Sequence, residues 1–223
     1  NCVSRLSTLK TMLTKHGVPG SRDCKEPNDL IPIESTPELV SALTGPDEEL
    51  ANLHPYLFPI AKSMASGNYV CAYRSPSGTE SEKKQPWPIV EAKLGGPGMY
   101  LLALNSEHMM RRIACESESQ GDGGKYAIEI YNEALGKGFL ADALLDTPYE
   151  AGSVAKLGYG VEKYVLLRVG PFPDLYQSMA LQHAERGDEQ SSLIAAETSS
   201  AKHTGFGSTF RFYATLLKSF PNR

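Results

Sequence analysis

An α+β fold is predicted, with an antiparallel sheet of about five strands flanked by N-terminal helices and a C-terminal three-helix segment. Two observations predict it. Apolar residues recur at helical spacing at both ends of the chain, and short β-branched or aromatic runs separated by Gly, Pro and polar clusters stand between them. Helices, then strands, then helices is the order of a segregated α+β domain. With no internal repeat and no long linker, one domain over 1–223 is expected: helical over 1–66, mainly β over 67–170, helical again over 171–223.

At the N-terminus, Val3, Leu6, Leu9, Met12 and Leu13 mark a helix over 3–16. Lys15 and His16 complement its negative end and Gly17 stops it. Residues 17–35 read as loop, punctuated by Pro19, Gly20, Pro27 and Pro32. Thr36-Pro37-Glu38 starts a short helix that runs to Leu43. Pro46-Asp47-Glu48-Glu49 starts another, with Leu50, Leu53, Leu57, Ile60 and Met64 at helical spacing. Pro55 and Pro59 break it near His54, since proline lacks the amide donor and clashes with the preceding turn.

Strands are expected over 68–73 (NYVCAY), 87–94 (WPIVEAKL), 99–104 (MYLLAL), 126–131 (YAIEIY) and 161–169 (VEKYVLLRV). The third is apolar throughout and reads as a central strand buried on both faces. Polar loops are expected over 75–86 and 117–125, and a glycine-rich connection over 95–98. Asn105-Ser106-Glu107 caps a helix carrying Met109, Met110, Ile113 and Ala114, with a continued strand as the alternative. Three helices should follow Gly170-Pro171-Phe172-Pro173: 174–186, ending at Gly187, then 188–202, then 208–220.

Composition narrows the function classes. The 223 residues carry 22 basic and 26 acidic side chains, a net charge of −4. General nucleic-acid binding needs a dense positive surface and is argued against. No run approaches the ~20 apolar residues that cross a bilayer, so no membrane span is expected. Cys2, Cys24, Cys71 and Cys115 form no C-x-x-C pair and read as free, partly buried thiols, Cys71 and Cys115 in apolar surroundings.

Reactive constellations are sparse. Glu91 and Lys93 stand two apart on a strand and would share a face, as in metal-dependent nucleases. That motif also wants an acid on the preceding strand, and Glu80 and Glu82 lie in a polar loop. A solvated charge pair is the competing reading. His16, His54, His108, His183 and His203 make no H-E-x-x-H or H-x-x-x-H pattern. No catalytic residue, metal site or cofactor is assigned. Rigid aromatic and proline segments suit protein recognition instead, because they lose little freedom on binding. Tyr56, Phe58, Trp87 and Phe172, with Arg111 and Arg112, are the candidate protein-binding anchors.

The strings HPYLFPIAKS from His54, PWPIVEAKLGGPGM from Pro86, LNSEHMMRRIACE from Leu104, GYGVEKYVLLRVGPFPDLY from Gly158 and GFGSTFRFYA from Gly205 carry a resemblance. They are similar to a green-lineage plastid family associated with the factor called protein in chloroplast ATPase biogenesis. The resemblance covers the chain from about residue 50 onward. It implies a stromal, non-enzymatic assembly factor whose client is a catalytic-head subunit of the chloroplast ATP synthase, the gamma subunit being one candidate. Beginning at Asn1 is compatible with a removed transit peptide. The alternative kept beside it is a metal-dependent hydrolase centred on Glu91 and Lys93.

Overall fold

The computed structural model describes residues 2–21, 27–33, 53–74, 87–93, 98–119, 121, 123–136, 148–202 and 207–220. The expected helix over 36–43, the start of the one from 46, the loop over 75–86, most of the 95–98 connection and residues 137–147 lie outside these. So do Glu80, Glu82, Cys24 and His203.

Helix α1 spans Cys2–His16 as its spacing predicts. A 3-10 turn over Pro27–Asp29 leads into strand β1, Leu30–Pro32. The loop reading of 17–35 is thereby corrected, because three residues are too few to show a period. Strand β2, Leu57–Ser63, replaces the second half of the expected kinked helix. Leu57, Pro59, Ile60, Ala61 and Ser63 are all buried there, and the pairing register shifts between Pro59 and Ala61. A bulge is where an interior strand accepts a proline. The breaker read as a helix kink is thus a strand irregularity.

Strands β3 (Tyr69–Tyr73), β4 (Ile89–Ala92) and β5 (Met99–Ala103) lie where expected. All neighbours are antiparallel, in the order β1-β2-β3-β4-β5. Leu57 faces Tyr73, Cys71 faces Val90, and Val90 faces Leu101. β5 is therefore at an end of the described sheet, not at its centre. Tyr100, Leu101, Leu102 and Ala103 are still buried, so both of its faces are covered.

Helix α2 spans Ser106–Ser119 and α3 spans Gly123–Gly136. They overturn the strand expected over 126–131 and most of the polar loop expected over 117–125. In YAIEIY the alternation is local. Ala127, Ile128, Tyr131 and Ala134 are the buried positions, which is helical spacing. A Cβ on Gly124 would come 2.3 Å from the Glu118 Cα, so glycine sets the close approach of the second helix to the first.

After the short helix α4 (Ser153–Leu157), α5 covers Val161–Arg168. The strand expected over 161–169 is likewise corrected. Tyr164 and Val165 are buried while Glu162, Lys163, Leu167 and Arg168 are exposed, so one helical stripe faces the core. The C-terminal helices are α6 (Pro173–Glu185), α7 (Glu189–Lys202) and α8 (Gly207–Ser219), as predicted. Asp188 links the first two, its Oδ1 accepting from the Ser191 amide at 3.0 Å.

Two apolar layers sandwich the sheet. Val70 and Ala72 of β3 join Leu9, Met12, Met109, Met110, Ile113 and Tyr131 of the helices. Tyr69 and Cys71, on the opposite face, join Leu57, Val90 and Leu101. Strand alternation produces this division. A third, separate cluster of Ala180, Leu193, Ala195, Ala196 and Leu216 holds the C-terminal helices together.

Candidate functional site

Among the described residues, α2 carries the densest set of buried polar side chains. It starts at Asn105, whose Oδ1 accepts from the His108 amide at 2.8 Å, the geometry of a helix cap. Glu107, His108, Arg111 and Arg112 are all buried on it.

Arg112 is the centre of a junction of three chain segments. Its Nη1 and Nη2 donate to Asp174 Oδ1 and Oδ2 at 2.7 and 2.6 Å, and its Nε donates to Glu116 Oε1 at 2.6 Å. The guanidinium lies 4.6 Å from the Phe172 ring centroid. Burial works against its charge, but the bonds and field of Asp174, then of Glu116, more than reverse that and raise its pKa. Asp174 sits in the first turn of α6, where the helix dipole favours an acid. Gly20 closes the third side. Its φ is +74°, and a Cβ there would lie 2.8 Å from the Asp174 carboxyl and 2.9 Å from Arg112 Nη1. The next residue, Ser21, donates through Oγ to Glu91 Oε2 on β4 at 2.9 Å. One loop therefore touches both the sheet and the root of the C-terminal helices.

A second group forms around the neighbouring residue, Arg111. Arg111 stands 5.7 Å from the Tyr131 ring and 5.9 Å from the Tyr149 ring. The Tyr149 hydroxyl and the Gly152 amide both donate to Glu118. Asn132 grips the Tyr149 backbone twice: its Nδ2 donates to the carbonyl at 2.9 Å and its Oδ1 accepts from the amide at 2.8 Å. Burial pushes the Cys115 thiol up to about 12, and burial with the Glu118 bond raises the Tyr149 hydroxyl. Both groups stay protonated near neutrality. The thiol is therefore a poor nucleophile here.

The six candidate anchors separate. Tyr56 is exposed beside His54, with ring centroids 5.4 Å apart. Phe58 and Trp87 are half-buried and pack on each other at 6.4 Å. Arg111, Arg112 and Phe172 are buried. Glu91 is buried too, accepting from Ser21 and, at 2.9 Å, from Asn68 Nδ2. Lys93 is exposed and falls past the end of β4, so the shared-face argument does not reach it. Sequence reading missed Asp174, Gly20, Glu118 and Tyr149. Only Arg112–Glu116 left a local signal, the four-residue spacing of a helical pair.

Among the described residues, no helix is long and apolar enough to cross a membrane. None of them gathers into a group of three or more metal-ligating His, Cys, Asp or Glu side chains.

These features define an α+β protein with an antiparallel sheet, a buried charged helix and a helical C-terminal extension. The family model of the PAB middle domain matches residues 173–223, beginning at the first residue of α6. Over 169 residues, 74% of its length, the chain is 30% identical to "Protein IN CHLOROPLAST ATPASE BIOGENESIS, chloroplastic" of Arabidopsis thaliana. The similarity read from its strings is therefore borne out. The chain spans about half the length of that relative, 46%. No solved structure matches it significantly.

Proposed function

We propose that this chain is a non-enzymatic, protein-binding factor that assists assembly of the chloroplast ATP synthase, acting in the stroma as one unit over its 223 residues. The observation that carries the reading is the 30% identity, along three quarters of the chain, with a relative whose name states a role in chloroplast ATPase biogenesis. The PAB middle domain match over the last three helices supports it. The client is a catalytic-head subunit that the factor holds before release to a partner.

The client contact is made by Tyr56 and by the half-buried Phe58–Trp87 pair. A ring that is rigid and already half-packed loses little freedom on binding, so its contact surface translates into affinity. Arg111, Arg112 and Phe172 shape the protein from within and reach no client directly.

The test is recovery of partners on tagged protein from plastid extract. A catalytic-head subunit should copurify with the unaltered chain and should fall at least fivefold with Tyr56→Ala combined with Trp87→Ala. A preparation free of every ATP synthase subunit would end the proposal.

A further inference from the structure

The ladder between β2, β3 and β4 runs one residue past the end of β3. The Arg74 amide donates to the Tyr56 carbonyl at 2.8 Å, and the Tyr73 amide donates to the Pro88 carbonyl at 2.8 Å. With Leu57 facing Tyr73 and Ala72 facing Ile89, this register sets Arg74 opposite Tyr56 on one side and opposite Trp87 on the other. Residues opposite one another in a sheet stand on the same face. Tyr56, Arg74 and Trp87 therefore form one row across the end of the sheet. The next row inward is Phe58, Ala72 and Ile89. There β3 contributes only the small Ala72, and Phe58 meets Trp87 across it with ring centroids 6.4 Å apart.

Two observations set this row apart. Its rings are held before any partner arrives. The Tyr56 amide donates to His54 Nδ1 at 3.4 Å, their ring centroids are 5.4 Å apart, and the Leu57 amide closes the turn on the His54 carbonyl at 2.9 Å. Trp87 is held by Phe58 in the same way. Rings already fixed lose little freedom on binding. Between them stands an exposed arginine, and among the described residues the Arg74 guanidinium is in no ion pair. Arg112, by contrast, meets two carboxylates. Tyrosine, tryptophan and arginine are the residue types in which interface affinity concentrates.

We propose that Tyr56, Arg74 and Trp87 receive an acidic segment of a protein partner. A carboxylate of that segment pairs with the Arg74 guanidinium, and the apolar side chains beside it lie on the two rings. The planar guanidinium presents paired N–H donors that match a carboxylate. A fully exposed pair would be worth little, but here an aromatic side chain on each side shields it from water. The chain as a whole carries a net charge of −4, so an acidic partner is drawn by this local cation and not by overall charge. One cation between two rings does not suit a nucleic acid, whose backbone needs many. The site rests on the protein-binding reading above and assigns its partner a chemistry.

Fluorescence anisotropy on the full chain tests it, with a fluorescein-labelled nonapeptide of alternating leucine and aspartate and a counterpart carrying asparagine for aspartate. The aspartate peptide should bind the unaltered chain at least fivefold more tightly than the asparagine peptide. Arg74→Gln, at an exposed position where substitution disturbs folding little, should remove that preference. Tyr56→Ala should weaken both peptides alike. In NMR spectra the aspartate peptide should shift the amides of 56 and 74 and the Trp87 indole. Equal binding of the two peptides by the unaltered chain, a preference that survives Arg74→Gln, or no binding at about 1 mM peptide overturns the proposal. So does a labelled oligothymidylate of twelve residues that binds as tightly as the aspartate peptide. Failed client capture with the peptide preference intact refutes the assembly role and leaves the acidic-segment site standing. Client capture unchanged by Arg74→Gln does the reverse.

Discussion

α2 and α7 are both fourteen-residue helices with several charged or hydroxyl side chains, but they sit in opposite surroundings. Eleven residues of α2 are buried, among them Glu107, His108, Arg111 and Arg112. On α7 five are buried, all of them Ser, Leu or Ala, while Ile194 is left 54% exposed. Charge lies inside at one helix and a large apolar side chain lies outside at the other. What decides is the partner: Arg112 meets two carboxylates and an aromatic face, whereas nothing in the described chain covers Ile194. A charged residue is tolerated in the interior when its pairing is complete, and this makes it far more sensitive to loss of a partner than to its own burial.

The comparison can be broken first at Asp174. Asp174→Ala leaves the buried guanidinium with Glu116 alone, and a loss of about 3–5 kcal/mol is expected for such an orphaned charge. Urea unfolding measures it, and a loss under about 1 kcal/mol would mean that water already serves the arginine. Next comes Gly20→Ala, which places a methyl against the same pair at a left-handed position. Backbone strain alone costs about 1–2 kcal/mol there, and Gly20→Asn should lose less, because asparagine tolerates that backbone region. Equal losses for the two would point to crowding rather than strain.

Helix α7 supplies the smaller effects. The buried Ser192 hydroxyl donates to the Ala180 carbonyl of α6 at 2.7 Å, so Ser192→Ala should cost about 1 kcal/mol, seen as a lowered thermal midpoint. Ile194→Ser should change stability by no more than about 0.5 kcal/mol, as for an exposed site without partners. A larger loss would show that the side chain is covered, contrary to its exposure.

Much of the fold was legible because it is written locally. α1 and the C-terminal helices announce themselves through apolar spacing, terminal cations, Pro173 and Gly187. β3, β4 and β5 are short runs rich in apolar, β-branched or aromatic residues. The misreadings share one cause. In 57–63, 126–131 and 161–169, a few apolar residues fit both periods, and tertiary contact chose between them. Tyr131 and Val165 became helical because α2 offers a helix-shaped neighbour. The junction was less legible still. Arg112 finds Asp174 sixty-two residues away, and no local pattern reports such a pairing. Arg111, Arg112 and Phe172 consequently read as surface anchors when they are interior ones.

That separation also has a temporal side. A ribosome adding about 5–20 residues per second needs roughly 3–12 seconds to make the stretch between Arg112 and Asp174. For that interval Glu116, four residues on, is the partner already synthesised. A chain that has reached Glu116 but not Asp174 holds only one of the two carboxylates that meet Arg112, and the set is complete only once the first turn of α6 has been made.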